Sequence, residues 1–174
     1  MEELKPVRVL GLGNVLMQDD GFGPYVVRVL DARFEFPEGV EVLDVGTPGL
    51  NFTPYLEESR VVIVIDTVTG AEAAGTIKSY DREQLLMQPP PARTNPHQPG
   101  LREAMMATEL TDTSPDEILV IGVVPESTES GTRLNPAVER AVDEVVGLVV
   151  DHLERLGLRP RAREPQLEPD IWWE

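Results

Sequence analysis

VRVLGLGNVLMQDDGFG, residues 7–23, is the stretch on which the reading of this chain turns. It opens as a short, mostly apolar strand, Val7–Leu10, and bends through Gly11-Leu12-Gly13-Asn14. It then sets Asp19 and Asp20 just ahead of a helical pattern that begins near Gly21. A strand, a glycine turn and carboxylates at a helix start together build sites, because ligands of open α/β sheets bind outside the carboxyl ends of the strands.

Outward from that stretch, strand patterns recur at Val40–Val45, Val61–Ile65, Thr76–Tyr80 and Ile118–Val123. The runs VRVL, VVIVI and ILVIGV are nearly continuous in β-branched and aliphatic residues, which suits parallel strands covered on both faces. Helical spacing appears between them. Gly21–Arg33 carries Phe22, Val26, Val29 and Leu30 on one side; Asn51–Glu58 is short; Leu101–Leu110 presents Leu101, Ala104 and Met105. A final helix starts with Asn135 as N-cap and Pro136 in its first turn. It repeats Val138, Ala141, Val142, Val145, Val149, Leu153 and Leu156, and Gly157 is its stop. Alternating strands and helices predict a three-layer α/β/α sandwich around a five-stranded, mostly parallel twisted sheet. The 76–80 strand follows Asp66 too closely for a helical crossover, so it is expected to be antiparallel, at an edge.

The chain has 174 residues, enough for one domain with a substantial core. Residues 1–158 read as a single α/β domain, and 159–174 as a charged, proline-spaced, flexible tail ending in Ile171-Trp172-Trp173. Docking of those two tryptophans on the body or on a partner is the alternative reading. QPPPARTNPHQPG, residues 88–100, is a proline-rich loop of a length that is usually functional or mobile. Lys and Arg number 15 against 31 Asp and Glu, a net charge of −16, which argues against nucleic acid as a partner. The chain has no cysteine, which removes disulfides, thiolate metal sites and a cysteine nucleophile at once. No apolar run approaches the roughly 20 residues that span a bilayer. MEELKPVRVL lacks the apolar core of a signal peptide. The expectation is a soluble, cytoplasmic monomer without membrane insertion.

The Gly11-x-Gly13 turn is not a dinucleotide fingerprint. The third glycine is replaced by Leu16, and the charges of Asp19 and Asp20 would repel a pyrophosphate. Of the acidic pair, Asp19 is the expected helix cap, leaving Asp20 for other work. Asp66 follows five apolar residues at the mouth of the sheet, where a turn-forming aspartate is the plain alternative. His97 lies in the proline-rich loop and is one of two histidines; His152 falls on the last helix, at a surface or boundary position. An imidazole with carboxylates suits a mixed N/O site for a metal such as Zn or Ni. Neither His-Glu-x-x-His nor Gly-x-Ser-x-Gly occurs. Residue types and spacing alone reach an α/β domain with a carboxylate–histidine metal site, and stop there.

Five stretches in order resemble the NiFe-hydrogenase maturation endopeptidases. GLGNVLMQDDGFG is similar to the family's Gly-x-Gly-Asn…Asp-(Glu/Asp)-Gly-x-Gly signature, and EVLDVGTPGL (41–50) to its Asp-x-Gly-Thr-x-Gly motif. VVIVIDTV (61–68) is similar to its strand-to-aspartate motif, NPHQPGL (95–101) to its histidine loop, and IGVVPES (121–127) to its Gly-x-x-Pro-Glu-Ser stretch. The resemblance implies a five-stranded sheet between helices. It also implies removal of a C-terminal peptide from the hydrogenase large-subunit precursor once nickel is inserted. Carried over position by position, Asp20, Asp66 and His97 are implied to read the nickel that the substrate presents, or another divalent metal in its place, and to act in catalysis. The family's first ligand is often glutamate; Asp20 is one methylene shorter, so its loop must come closer to the metal. Gly46-Thr47-Pro48-Gly49 matches a flexible stretch beside the same cleft. A non-catalytic metal- or partner-binding module of hydrogenase assembly is the alternative function, and a small-molecule metallohydrolase a third.

Overall fold

The structure is a computed structural model that describes residues 5–47, 52–87 and 100–173. In chain order, β1 is Val7–Leu12, followed by a 3-10 turn at Gln18–Gly21, α1 at Phe22–Arg33, the two-residue β2 at Phe34–Glu35, and β3 at Val40–Gly46. Then come α2 (Thr53–Glu57), β4 (Val61–Thr67), β5 (Ile77–Asp81), α3 (Arg82–Met87) and α4 (Leu101–Leu110). The chain continues with β6 (Glu117–Val123), α5 (Pro136–Glu139), α6 (Val142–Arg155) and β7 (Arg161–Ala162). Five strands form one sheet in the order β3-β1-β4-β6-β5. β1 pairs in parallel with β3 and β4, β4 pairs in parallel with β6, and β5 runs antiparallel to β6 at the edge. The expected sheet, with its one antiparallel edge strand, is therefore the observed one.

Strand alternation divides the core in two. Val7 and Val9 of β1, Ile63 and Ile65 of β4, and Ile121 and Val123 of β6 face α1 and the α5–α6 pair, packing with Phe22, Leu30, Val145 and Leu153. Leu10, Val62, Val64, Ile118 and Val120 face the other way, onto Leu56 of α2, Leu85 of α3 and Met105 of α4. All seven residues of β4 are buried. That is the physical content of a continuous apolar run: a central parallel strand has no solvent face to mark with polar residues. Each fully buried aliphatic side chain here stabilises the fold by about 1.5–3 kcal/mol.

Three features differ from expectation. The last helix is broken: the Ala141 N–H bonds Val138 O at 3.0 Å, an i→i−3 turn that interrupts the i→i−4 ladder before α6. α3 was not anticipated, although Asp81-x-x-Gln84 is a capping box. The Gln84 N–H donates to Asp81 Oδ1 at 2.8 Å and the Asp81 N–H to Gln84 Oε1 at 2.9 Å. The segment from Arg159, read from its composition as a flexible tail, lies against the body. β7 pairs antiparallel with β2, and Ile171 is buried. No helix among the described residues is long and apolar enough to cross a membrane.

Candidate active site

The sheet order creates the site. From β1 the chain moves outward to β3, then returns past β1 to β4, so the connections diverge between β1 and β4. That divergence opens a crevice at the carboxyl ends of these two strands. Asp20 follows β1 and Asp66 stands near the end of β4, so both acidic residues flank the crevice.

The glycines of the opening stretch let α1 sit directly on the strand ends. A Cβ at Gly23 would lie 2.3 Å from Leu12 O and 2.4 Å from Ile65 O, so the first turn of α1 contacts the backbone of β1 and β4 together. Gly13, at φ +144°, has no room either: a Cβ there would fall 1.7 Å from Asp20 O. Its N–H donates to Gly46 O at 2.8 Å, tying the Asp20 loop to the end of β3. The glycine turn thus serves close backbone approach. Pro48 and Gly49 lie outside the described residues.

Asp20 is half-buried. Its Oδ2 accepts the Asn14 N–H at 2.9 Å and its Oδ1 accepts the Thr67 hydroxyl at 3.2 Å. Asp66 is buried, at 8% exposure, and its Oδ1 accepts the Thr67 N–H at 2.7 Å. Thr67 therefore links the two carboxylates, its backbone to one and its side chain to the other. Thr67 carries no marker of its own in the sequence. The usable signal was the Asp-Thr pair at the end of an apolar strand.

Asp19 was expected to cap α1, and it does not: the N-cap of α1 is Gly21, with no side-chain cap. Asp19 has no exposed surface and points the other way. Its Oδ2 accepts the Glu126 N–H (2.8 Å), the Ser127 N–H (3.0 Å) and Asn135 Nδ2–H (2.9 Å), while its Oδ1 accepts the Asn135 N–H (2.7 Å). The local preference of a helix N-terminus for negative charge was outweighed by four donors from distant segments. The neighbouring aspartates thus differ: Asp19 anchors the turn, while Asp20 bonds Asn14 and Thr67 at the ends of β1 and β4. The Pro-Glu-Ser stretch supplies that anchor. Asn135 is the N-cap of α5 by backbone position, but its amide serves Asp19.

His97 lies outside the described residues, between α3 and α4. Among the described residues no three ligand-type side chains cluster as a metal site. His152 stays away from the crevice, on α6, with Nε2 2.8 Å from Glu117 Oε1.

A doubly wound α/β fold with two threonine-linked carboxylates at its switch point is the class this geometry defines. The chain belongs to the hydrogenase maturation protease family, whose model matches residues 24–152, and is thus a peptide-bond hydrolase. It is 32% identical to the hydrogenase 2 maturation protease of Escherichia coli over 91% of this chain and 96% of that one. It is 30% identical to the hydrogenase expression/formation protein HoxM of Azotobacter vinelandii, over 93% of this chain and 79% of that one. The solved structure of the hydrogenase maturating endopeptidase HybD from E. coli superposes with a TM-score of 0.84 at 29% identity, covering 92% of this chain and 99% of that one.

Proposed function

We propose that this protease removes the C-terminal peptide from the nickel-loaded large-subunit precursor of a NiFe-hydrogenase. In this reading Asp20, Asp66 and His97 read the nickel carried by the substrate. The observation that carries the proposal is the Asp20–Thr67–Asp66 linkage at the switch point, in a chain whose family acts in hydrogenase maturation. Two carboxylates supply hard oxygen ligands and His97 a borderline nitrogen, a set that suits a divalent transition metal. Three such ligands leave coordination positions open, as catalytic rather than structural sites do. A metal so held polarises a scissile carbonyl or activates water, and a carboxylate beside it can take the water's proton. Because the metal arrives with the substrate, a precursor without nickel has nothing to hold its peptide in register. The strongly acidic, cysteine-free chain is proposed to act as a cytoplasmic monomer.

The test is processing of the precursor with and without inserted nickel, followed by the mass of the large subunit. The nickel-loaded form is expected to lose its C-terminal peptide and the nickel-free form to stay intact. Equal cutting of both would sink nickel gating, and stable binding without a mass change would favour the assembly module. Asp20→Ala, Asp66→Ala and His97→Ala are each expected to abolish cleavage while leaving the far-ultraviolet circular dichroism unchanged. Full activity of one variant removes that residue from the site.

A further inference from the structure

The 3-10 turn that presents Asp20 is gripped at both ends, and the C-terminal segment supplies one grip. At the first end, the Gln18 N–H donates to Gly131 O at 2.8 Å and the Gly131 N–H to Leu16 O at 2.9 Å. At the other, the Trp172 ring lies against Gly21: a Cβ on that glycine would fall 3.1 Å from Trp172 Cζ2. The Trp172 indole N–H donates to Thr132 O at 2.8 Å, the residue after Gly131. One side chain therefore joins the Gly131–Thr132 loop to the residue that follows Asp20.

Trp172 is itself held. Trp173 stacks on Tyr25 of α1, with ring centroids 5.3 Å apart, and Trp172 meets the same tyrosine edge-on at 6.2 Å. The Arg133 guanidinium lies 5.8 Å from the Trp173 centroid. Arg28 binds the Asp170 carboxylate at 3.0 Å, and buried Ile171 seats the segment. The Arg163 N–H to Arg33 O (2.8 Å) and the Leu167 N–H to Ala32 O (3.0 Å) lay the approach along the end of α1. Aromatic stacking, a cation–π contact and an indole hydrogen bond converge on a segment whose composition reads as a flexible tail.

We infer that Trp172 is a positioning residue of the protease: it acts through Gly21 to hold the Asp20 carboxylate in the crevice. The inference rests on the assignment of Asp20 to the site. Without the ring, Gly21 loses its packing and the turn gains freedom at the end nearest Asp20. A carboxylate displaced by a fraction of an ångström meets the substrate's metal poorly, and misplacement on that scale slows turnover by about tenfold to a hundredfold.

The experiment compares Trp172→Ala, Trp172→Phe and Asp20→Ala in the full-length chain. Two readouts are needed: steady-state processing of the nickel-loaded precursor, and amide hydrogen exchange of the free protein. Trp172→Ala is expected to lower kcat by about tenfold or more with KM within about threefold. It should also speed exchange of the Asn14 amide, which is held by the Asp20 carboxylate, by about tenfold while β4 and α6 keep their protection. Trp172→Phe keeps the ring on Gly21 and should retain most of both properties. Wild-type kcat and wild-type Asn14 exchange in Trp172→Ala would overturn the inference. So would a uniform loss of protection across the molecule, which would make the segment a general brace. An active Asp20→Ala enzyme would remove Asp20 from the site reading, while the exchange result would still report whether Trp172 holds the turn.

Discussion

Removing the Asp19 carboxylate tests the claim that the turn is anchored from behind. Asp19→Ala deletes four hydrogen bonds to one fully buried charge, three from backbone amides and one from Asn135. Hydrogen bonds to a charged group contribute about 1.5–3 kcal/mol each. The four donors are only partly buried, so water recovers part of that loss in the variant. The expected cost is about 3–5 kcal/mol, because neutral donors lose their common acceptor and only part of that loss is recovered from water. In a chain of this size each kcal/mol lowers Tm by about 2–4 °C, so a fall of roughly 10 °C is expected. Asp19→Asn separates shape from charge. Its amide oxygen can keep the three donors that share Oδ2, but its NH2 then faces the Asn135 N–H, for a cost of about 1–3 kcal/mol. Urea unfolding followed by circular dichroism measures both variants, and processing should slow in both because Asp20 is the next residue. A cost below about 1 kcal/mol for Asp19→Ala would refute the anchoring role.

Other substitutions probe the remaining contacts. Gly23→Ala places a methyl against two backbone carbonyls that cannot swing aside, and should destabilise by about 3 kcal/mol in the same assay. Thr67→Val keeps the shape of a buried side chain and deletes its bond to Asp20. It should cost about 1 kcal/mol and lower kcat, and an unchanged kcat would remove Thr67 from the linkage. The hydrogen bond and charge of Arg161 hold the Glu35 carboxyl below the usual carboxylate range. A depressed folded value means that this pair's contribution to β2–β7 pairing is present above the unfolded pKa and lost as pH falls through the folded one. Titration of the Glu35 carboxyl by nuclear magnetic resonance should therefore show a rise toward the ordinary value in Arg161→Ala, and no movement would detach the two.

The periodicity of the chain by itself determined the architecture. Continuous β-branched runs marked buried parallel strands, and the short link after Asp66 marked β5 as the antiparallel edge. The placement of Asp20 and Asp66 at the carboxyl ends of β1 and β4 was also legible, because each follows an apolar strand. Patterns of a few residues made Asp19 the helix cap and could not show that it turns inward. Both aspartates suit a helix start, and only the arrival of Glu126, Ser127 and Asn135 from more than a hundred residues away pulled one inward. The same limit left residues 159–174 open between a flexible tail and docking of the two tryptophans. Only α1, Gly21 and Thr132 supply the surface on which Arg163, Asp170 and the tryptophans pack. Composition reports what a segment can bury, and only the tertiary structure decides whether a partner is within reach to bury it.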